Sequence, residues 1–250
     1  MRLADNLERE LPYMRRYARA VTGSGERGDA LVEAALVSFI DDVPPATGRL
    51  EIFTRLEQTI RASVVATAGT DTASLPRRAL LLTAMEGFAP GDAALIMGCA
   101  DEEIGQLITD AENDLTASLA ADVFIIEDEP IVAVHIEQIA RSLGHNVVGH
   151  ATTCEQAVEA CRTLKPSLLL VDIQLADGSS GAEAANIITR ELDIPVVFIT
   201  AFSERLLTGR IGEPIYLIAK PFRPDMLKAV MSQALIQSAA DQPSKNYPAS

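Results

Sequence analysis

The sequence predicts two architectures joined end to end: an all-helical N-terminal half and an α/β C-terminal half built on a five-stranded parallel sheet. Three observations predict this. Apolar residues recur at helical spacing through the first half of the chain. From residue 122 onward, short apolar runs alternate with amphipathic stretches. Between two groups of predicted helices, the polar, turn-forming segment GTDTASLP divides the helical half into two subdomains.

The elements follow in order. NLERELPYMRRYARAVTG places Leu7, Leu11, Met14, Tyr17, Ala18 and Val21 on one helical face, and Gly23-Ser24-Gly25 ends the helix. ERGDALVEAALVSFIDD is a second amphipathic helix, stopped by Pro44-Pro45. Residues 49–67 form a third, with Leu50, Phe53, Leu56, Ile60 and Val64 inward. RRALLLTAMEGF and GDAALIMG give two shorter helices, and Gly98-Cys99 turns the chain into DEEIGQLITDAENDL. Then come the apolar runs 123–126, 146–150, 168–171, 196–200 and 215–219, with helices expected at 130–143, 153–163, 180–191, 203–209 and 223–237. Strands alternating with helices give a parallel sheet covered on both faces, and five such units give a flavodoxin-like, doubly wound fold. The tail SAADQPSKNYPAS is expected to fray.

Length and charge bound the function. A chain of 250 residues holds one or two domains. The net charge of −14 disfavours nucleic acid and favours basic protein partners. Residues 1–122 carry 11 Arg, no Lys and 20 acids. Three cysteines (Cys99, Cys154, Cys161) imply no disulfide framework, and no His/Cys pair has zinc spacing. The start MRLADNLERE has no apolar signal core, and no apolar run approaches the length of a membrane span, so a cytoplasmic protein is expected. The absence of Trp removes the best stacking platform for single strands.

In an open parallel sheet, ligands bind beyond the C-terminal strand ends. Here those ends carry Glu127-Asp128, Asp172, Thr200 and Lys220-Pro221. Converging carboxylates repel one another, a cost met by a hard cation such as Mg²⁺. A carboxylate can also accept a phosphoryl group, provided its charge is neutralised and its oxygens are held. In order and spacing, this constellation resembles a response-regulator receiver domain over residues 122–238. The resemblance implies that Asp172 accepts phosphate. It implies that Asp128 and Asp172 bind Mg²⁺ with the Gln174 backbone carbonyl, and that Glu127 assists. Thr200 would close onto the phosphate and Lys220 would pair with it. The donor would be a sensor histidine kinase or a phosphotransfer protein. One departure concerns the switch aromatic, whose usual position holds Leu217; Tyr216 lies one residue earlier, on the opposite face.

The helical half carries its own resemblance. LPYMRRYARAVTGSGERGDALVEAALVSF resembles region 2 of extracytoplasmic-function sigma factors, and residues 75–115 resemble their region 4. The corresponding boundaries are 1–67, a linker at 68–75, and 76–119, with the receiver at 122–238 and the tail at 239–250. A DNA reader needs basic residues on its last helix. Here that helix has Asp101, Glu102, Glu103, Asp110, Glu112 and Asp114 and no Lys or Arg, so no direct DNA binding is expected. A sigma-like module without DNA contacts, placed before a receiver, resembles the PhyR family of general stress regulators. The resemblance implies a phosphorylation-activated anti-anti-sigma factor, not an enzyme. Phosphorylation at Asp172 would release the sigma-like domain to bind an anti-sigma factor of the NepR type, freeing the true sigma factor for stress transcription. Leu7, Leu11 and Met14 are candidate partner contacts, with a core role favoured. The alternative is a DNA-binding two-component regulator or an active sigma factor. Nothing in the sequence supplies a further nucleophile–base pair.

Overall fold

The computed structural model describes residues 3–41, 48–66, 72–117, 120–201 and 214–241. In the N-terminal half, helices α1 (Leu3–Thr22), α2 (Gly25–Asp41) and α3 (Arg49–Ala66) come first, then α4 (Leu75–Leu80), α5 (Pro90–Met97) and α6 (Asp101–Ala117). Helix α4 starts earlier than expected, with Pro76 in its first turn, where a missing N–H costs nothing. It continues as a π-helical turn, Leu81–Met85, closed by the Glu86 N–H donating to the Leu81 carbonyl. Gly98, at φ +64°, caps α5 and turns the chain into α6.

The two helical subdomains share one core. Met14, Tyr17 and Val21 from α1 pack with Phe53, Leu56 and Ile60 from α3 and with Leu81, Leu82, Ile96 and Ile104 beyond the linker. Met14 is fully buried, a core residue, while Leu7 and Leu11 pack partly buried against the cluster. Buried and partly buried ion pairs cross the same boundary. Arg16 reaches Glu86 at 2.9 Å, Arg49 reaches Glu86 at 3.1 Å, and Arg78 reaches Glu57 at 3.0 Å.

The C-terminal half has strands β1 (Asp122–Ile126), β2 (Asn146–Ala151), β3 (Leu168–Val171), β4 (Val196–Thr200) and β5 (Tyr216–Ala219), all parallel in the order β2-β1-β3-β4-β5. This is the doubly wound order of flavodoxin-like sheets. Helices α7 (Pro130–Ser142), α8 (Cys154–Leu164), α9 (Gly181–Leu192) and α10 (Pro224–Asp241) cover it. The expected helix at 203–209 and most of the tail lie outside the described residues.

Side chains alternate along the strands, so each face has its own core. Phe124, Ile126, Leu169 and Val171 face α8 and α9. Val123, Ile125, Leu168, Leu170, Tyr216 and Ile218 face α7 and α10, and this second core is continuous with that of the helical half. Helix α10 therefore carries apolar residues around most of its circumference. Leu227, Val230, Met231 and Ala234 join the continuous core, while Ala229 meets Leu80 and Ala84 on the helical side. A helix apolar all round is a helix buried all round. Helix α10 runs to Asp241, past the expected end.

Candidate functional site

Three carboxylates converge where the C-terminal ends of β1 and β3 meet. Glu127, Asp128 and Asp172 each offer an oxygen within 4.8 Å of the others. The sheet registers them: the Glu127 N–H donates to the Ala151 carbonyl at 3.0 Å, and the Asp172 N–H to Ile126 at 2.8 Å. Glu127 and Asp172 are buried and Asp128 is half-buried.

Lys220, leaving the end of β5, supplies the counter-charge. Its ammonium lies 2.6 Å from Asp172, 2.8 Å from Glu127 and 3.4 Å from Glu129. Its backbone N–H donates to the Thr200 carbonyl at 2.8 Å, tying the ends of β4 and β5 together. Burial alone would lower the Lys220 ammonium, but hydrogen bonds to Asp172 and Glu127 and their charges hold it above its usual value. Burial pushes the Glu127 carboxyl up to about 6, against the pull of Lys220, with Asp172 adding to the rise. Hard carboxylate oxygens that repel one another fit a Mg²⁺-type cation.

All six expected residues lie at or beside the C-terminal strand ends. Thr200 ends β4 and is buried. The Gln174 N–H donates to Asp172 Oδ1 at 3.2 Å, so the loop after β3 grips the Asp172 carboxylate. The structure closes that loop tightly. Gln174 bridges Ser180, and a Cβ on Gly181 would stand 1.8 Å from the Asp172 carbonyl oxygen. Gly181 is there because nothing larger fits. Sequence reasoning missed Glu129 as a Lys220 partner, although it sits in the same EDEP motif. Tyr216 points to the α10 side, sharing its core with Val197 and Ile218, as strand alternation requires.

The site connects physically to the helical half. Beyond the continuous core, Arg19 donates to the Pro214 carbonyl at 3.4 Å, just before β5. Gly23, ending α1, lies directly against Gln237 of α10. On α6, Asp101, Glu102, Glu103, Asp110 and Glu112 all face solvent. The described residues contain no helix long and apolar enough to cross a membrane.

Comparison with known proteins covers both halves. The model for the Sigma2 domain of PhyR matches residues 7–52, that for the sigma-like domain of response regulator PhyR matches 70–117, and that for the response regulator receiver domain matches 123–232. The phyllosphere-induced regulator PhyR of Methylorubrum extorquens is 41% identical over 98% of this chain and 100% of its own. The structure of response regulator PhyR from Brucella abortus is 45% identical, covering 96% of this chain and 97% of that one, at a TM-score of 0.89. That of anti-anti-sigma factor PhyR from Bartonella quintana is 44% identical, covering 94% and 96%, at 0.85. The Bartonella protein has also been solved with the anti-sigma factor NepR, in a chain 43% identical over 94% of this one and 99% of that one, at 0.40.

Proposed function

The chain belongs to the PhyR family of response regulators, and from that premise we propose that it is a phosphorylation-operated anti-anti-sigma factor. One observation carries the reading most directly: α10 is buried at once against the receiver sheet and against the sigma-like half, in a single core. A change at the strand ends thus reaches the output module through β4, β5 and α10. A DNA-binding output is disfavoured by the acids of α6, which face solvent where phosphates would lie.

Asp172 accepts the phosphoryl group. Its carboxylate oxygen attacks the phosphorus of a phosphohistidine on a sensor kinase or phosphotransfer protein, and the P–N bond breaks with its electron pair staying on nitrogen. Mg²⁺, held by Asp128, Asp172 and the Gln174 carbonyl with Glu127 assisting, would neutralise charge on the transferring group. Phosphorylation adds roughly −1.5 to −2 charge. Lys220 then turns from Glu127 toward the phosphate, and the Thr200 hydroxyl closes on it. Because Lys220 and Thr200 are joined through the backbone, both movements pull on β4–β5 and loosen α10.

The released sigma-like half, residues 1–119, binds an anti-sigma factor of the NepR type and frees an extracytoplasmic-function sigma factor for general stress transcription. The chain regulates by binding and is not an enzyme with a substrate of its own. Its acidic surface suits a basic partner, and its place of action is the cytoplasm. The test is capture of a NepR-type anti-sigma factor by the full chain with and without beryllofluoride. Capture should depend on the phosphate mimic and be lost in Asp172→Ala, with no retention of promoter DNA at physiological salt. Equal capture in both states, or tight DNA binding, overturns the reading.

A further inference from the structure

One stripe of α10 faces α4 and the π-helical turn. Ala229, Ser232, Gln233 and Ile236, spaced i, i+3, i+4, i+7, meet Arg77, Leu80 and Leu81 around a cavity of about 10 Å³. The neighbouring stripe of Leu227, Val230, Met231 and Ala234 is wholly apolar. Ser232 and Gln233 are 0% and 2% exposed. Neither the Ser232 hydroxyl nor the oxygen or nitrogen of the Gln233 amide has a hydrogen-bond partner.

Buried polar groups are nearly always paired, and here three atoms of α10 lie unpaired beside a cavity also lined by Arg77, whose Nε is likewise buried without a partner, which is costly. The cavity beside them has room for at most one water, so the strip gives up most of its hydration on docking. That cost exists only while α10 is docked; once α10 leaves the helical half, water satisfies all three atoms. An interface meant to be permanent would place apolar side chains here, since dry, complementary packing is stronger than a half-satisfied polar strip.

We propose that Ser232 and Gln233 form a release strip that sets how much driving force is needed to detach α10 from the sigma-like half. Resting on the function argued above, the proposal identifies the place where the docked state is deliberately weak. The strip is intrinsic to the receiver helix and lies away from the phosphoacceptor, so it tunes the threshold of the switch without touching its chemistry.

The test uses the full chain with Gln233→Met, close in length but without the amide, and separately Ser232→Ala, the smallest possible change. Hydrogen exchange of α4 and α10 backbone amides, in the absence of any partner, reads docking directly; α8 and α9, on the far side of the sheet, serve as reference. Gln233→Met should slow exchange in α4 and α10 by roughly tenfold while α8 and α9 stay unchanged. Ser232→Ala should act in the same direction. In parallel, the beryllofluoride concentration giving half-maximal anti-sigma capture should rise. Exchange equal to or faster than wild type in both variants overturns the proposal. A wild-type chain that fails to switch with beryllofluoride would instead sink the anti-anti-sigma reading and leave the exchange result to decide the strip.

Discussion

Replacing Gly23 by alanine should open the protein without phosphate. Gly23 ends α1 at φ +63°, and a Cβ built there stands 2.0 Å from Gln237 Cγ, 2.7 Å from Cδ and 3.2 Å from Cβ. Two costs follow, and they fall on different states. Placing an L-residue in the left-handed region costs roughly 1–2 kcal/mol, but α1 bears that strain whether or not α10 is docked. The clash with Gln237 exists only in the docked state, and overpacking of this kind costs roughly 1–3 kcal/mol. That difference shifts the docked–undocked equilibrium about 5- to 150-fold. Since apparent affinity scales with the fraction of competent molecules, capture of the anti-sigma partner without beryllofluoride should tighten by a similar factor. A second substitution separates clash from strain. Gln237→Ala removes Cγ and Cδ, so Gly23→Ala with Gln237→Ala should return basal capture toward wild type while the backbone strain persists. The argument fails if Gly23→Ala captures no better than wild type, or if the double variant stays as open as the single one while melting as a folded protein.

Three further outcomes follow from the same structure. Lys220→Met leaves Glu127 and Asp172 without their cation; the variant should lose about 2–3 kcal/mol of stability without metal, bind Mg²⁺ more tightly by calorimetry, and lose mimic-dependent capture, and unchanged Mg²⁺ affinity would contradict this. Glu86→Gln strands the buried Arg16 guanidinium and releases Arg49, and should cost about 3–5 kcal/mol in denaturant unfolding, a loss under 1 kcal/mol refuting the clamp. Burial lowers the pKa of His145, whose Nδ1 accepts the Ala121 N–H where the two halves join. The unfolded chain therefore takes up this proton first, so the contribution is fully present above pH 6.5 and lost as pH falls below it. His145→Gln should flatten the stability profile across that window, and superimposable profiles would exclude the assignment.

The local chemistry was legible in the sequence because strand ends and turns are local. Short continuous apolar runs identified the strands, and the polar residues after them named Glu127, Asp128, Asp172, Thr200 and Lys220 together. The acids of α6 were equally plain, since charge needs no fold to be counted. Other features were hidden. The π-helical turn at Leu81–Met85 was absorbed into a longer expected helix, because apolar spacing cannot distinguish one extra residue per turn. The need for Gly181 was hidden too, since its reason is the backbone carbonyl of Asp172 lying against it. Gly23 read only as a helix stop, because its neighbour is more than 200 residues away along the chain.

By itself, the sequence determined the two architectures, the polar residues gathered at the strand ends and the acidity of α6, because these depend on periodicity, residue type and net charge. Only the tertiary structure decided how the halves meet: α10 against α4, the π turn and α1, with Ser232 and Gln233 unpaired between them. A helix enclosed on several sides loses the one-faced pattern that would announce its partner. The pairing of surfaces distant in the chain is set by shape and packing, which no local spacing encodes.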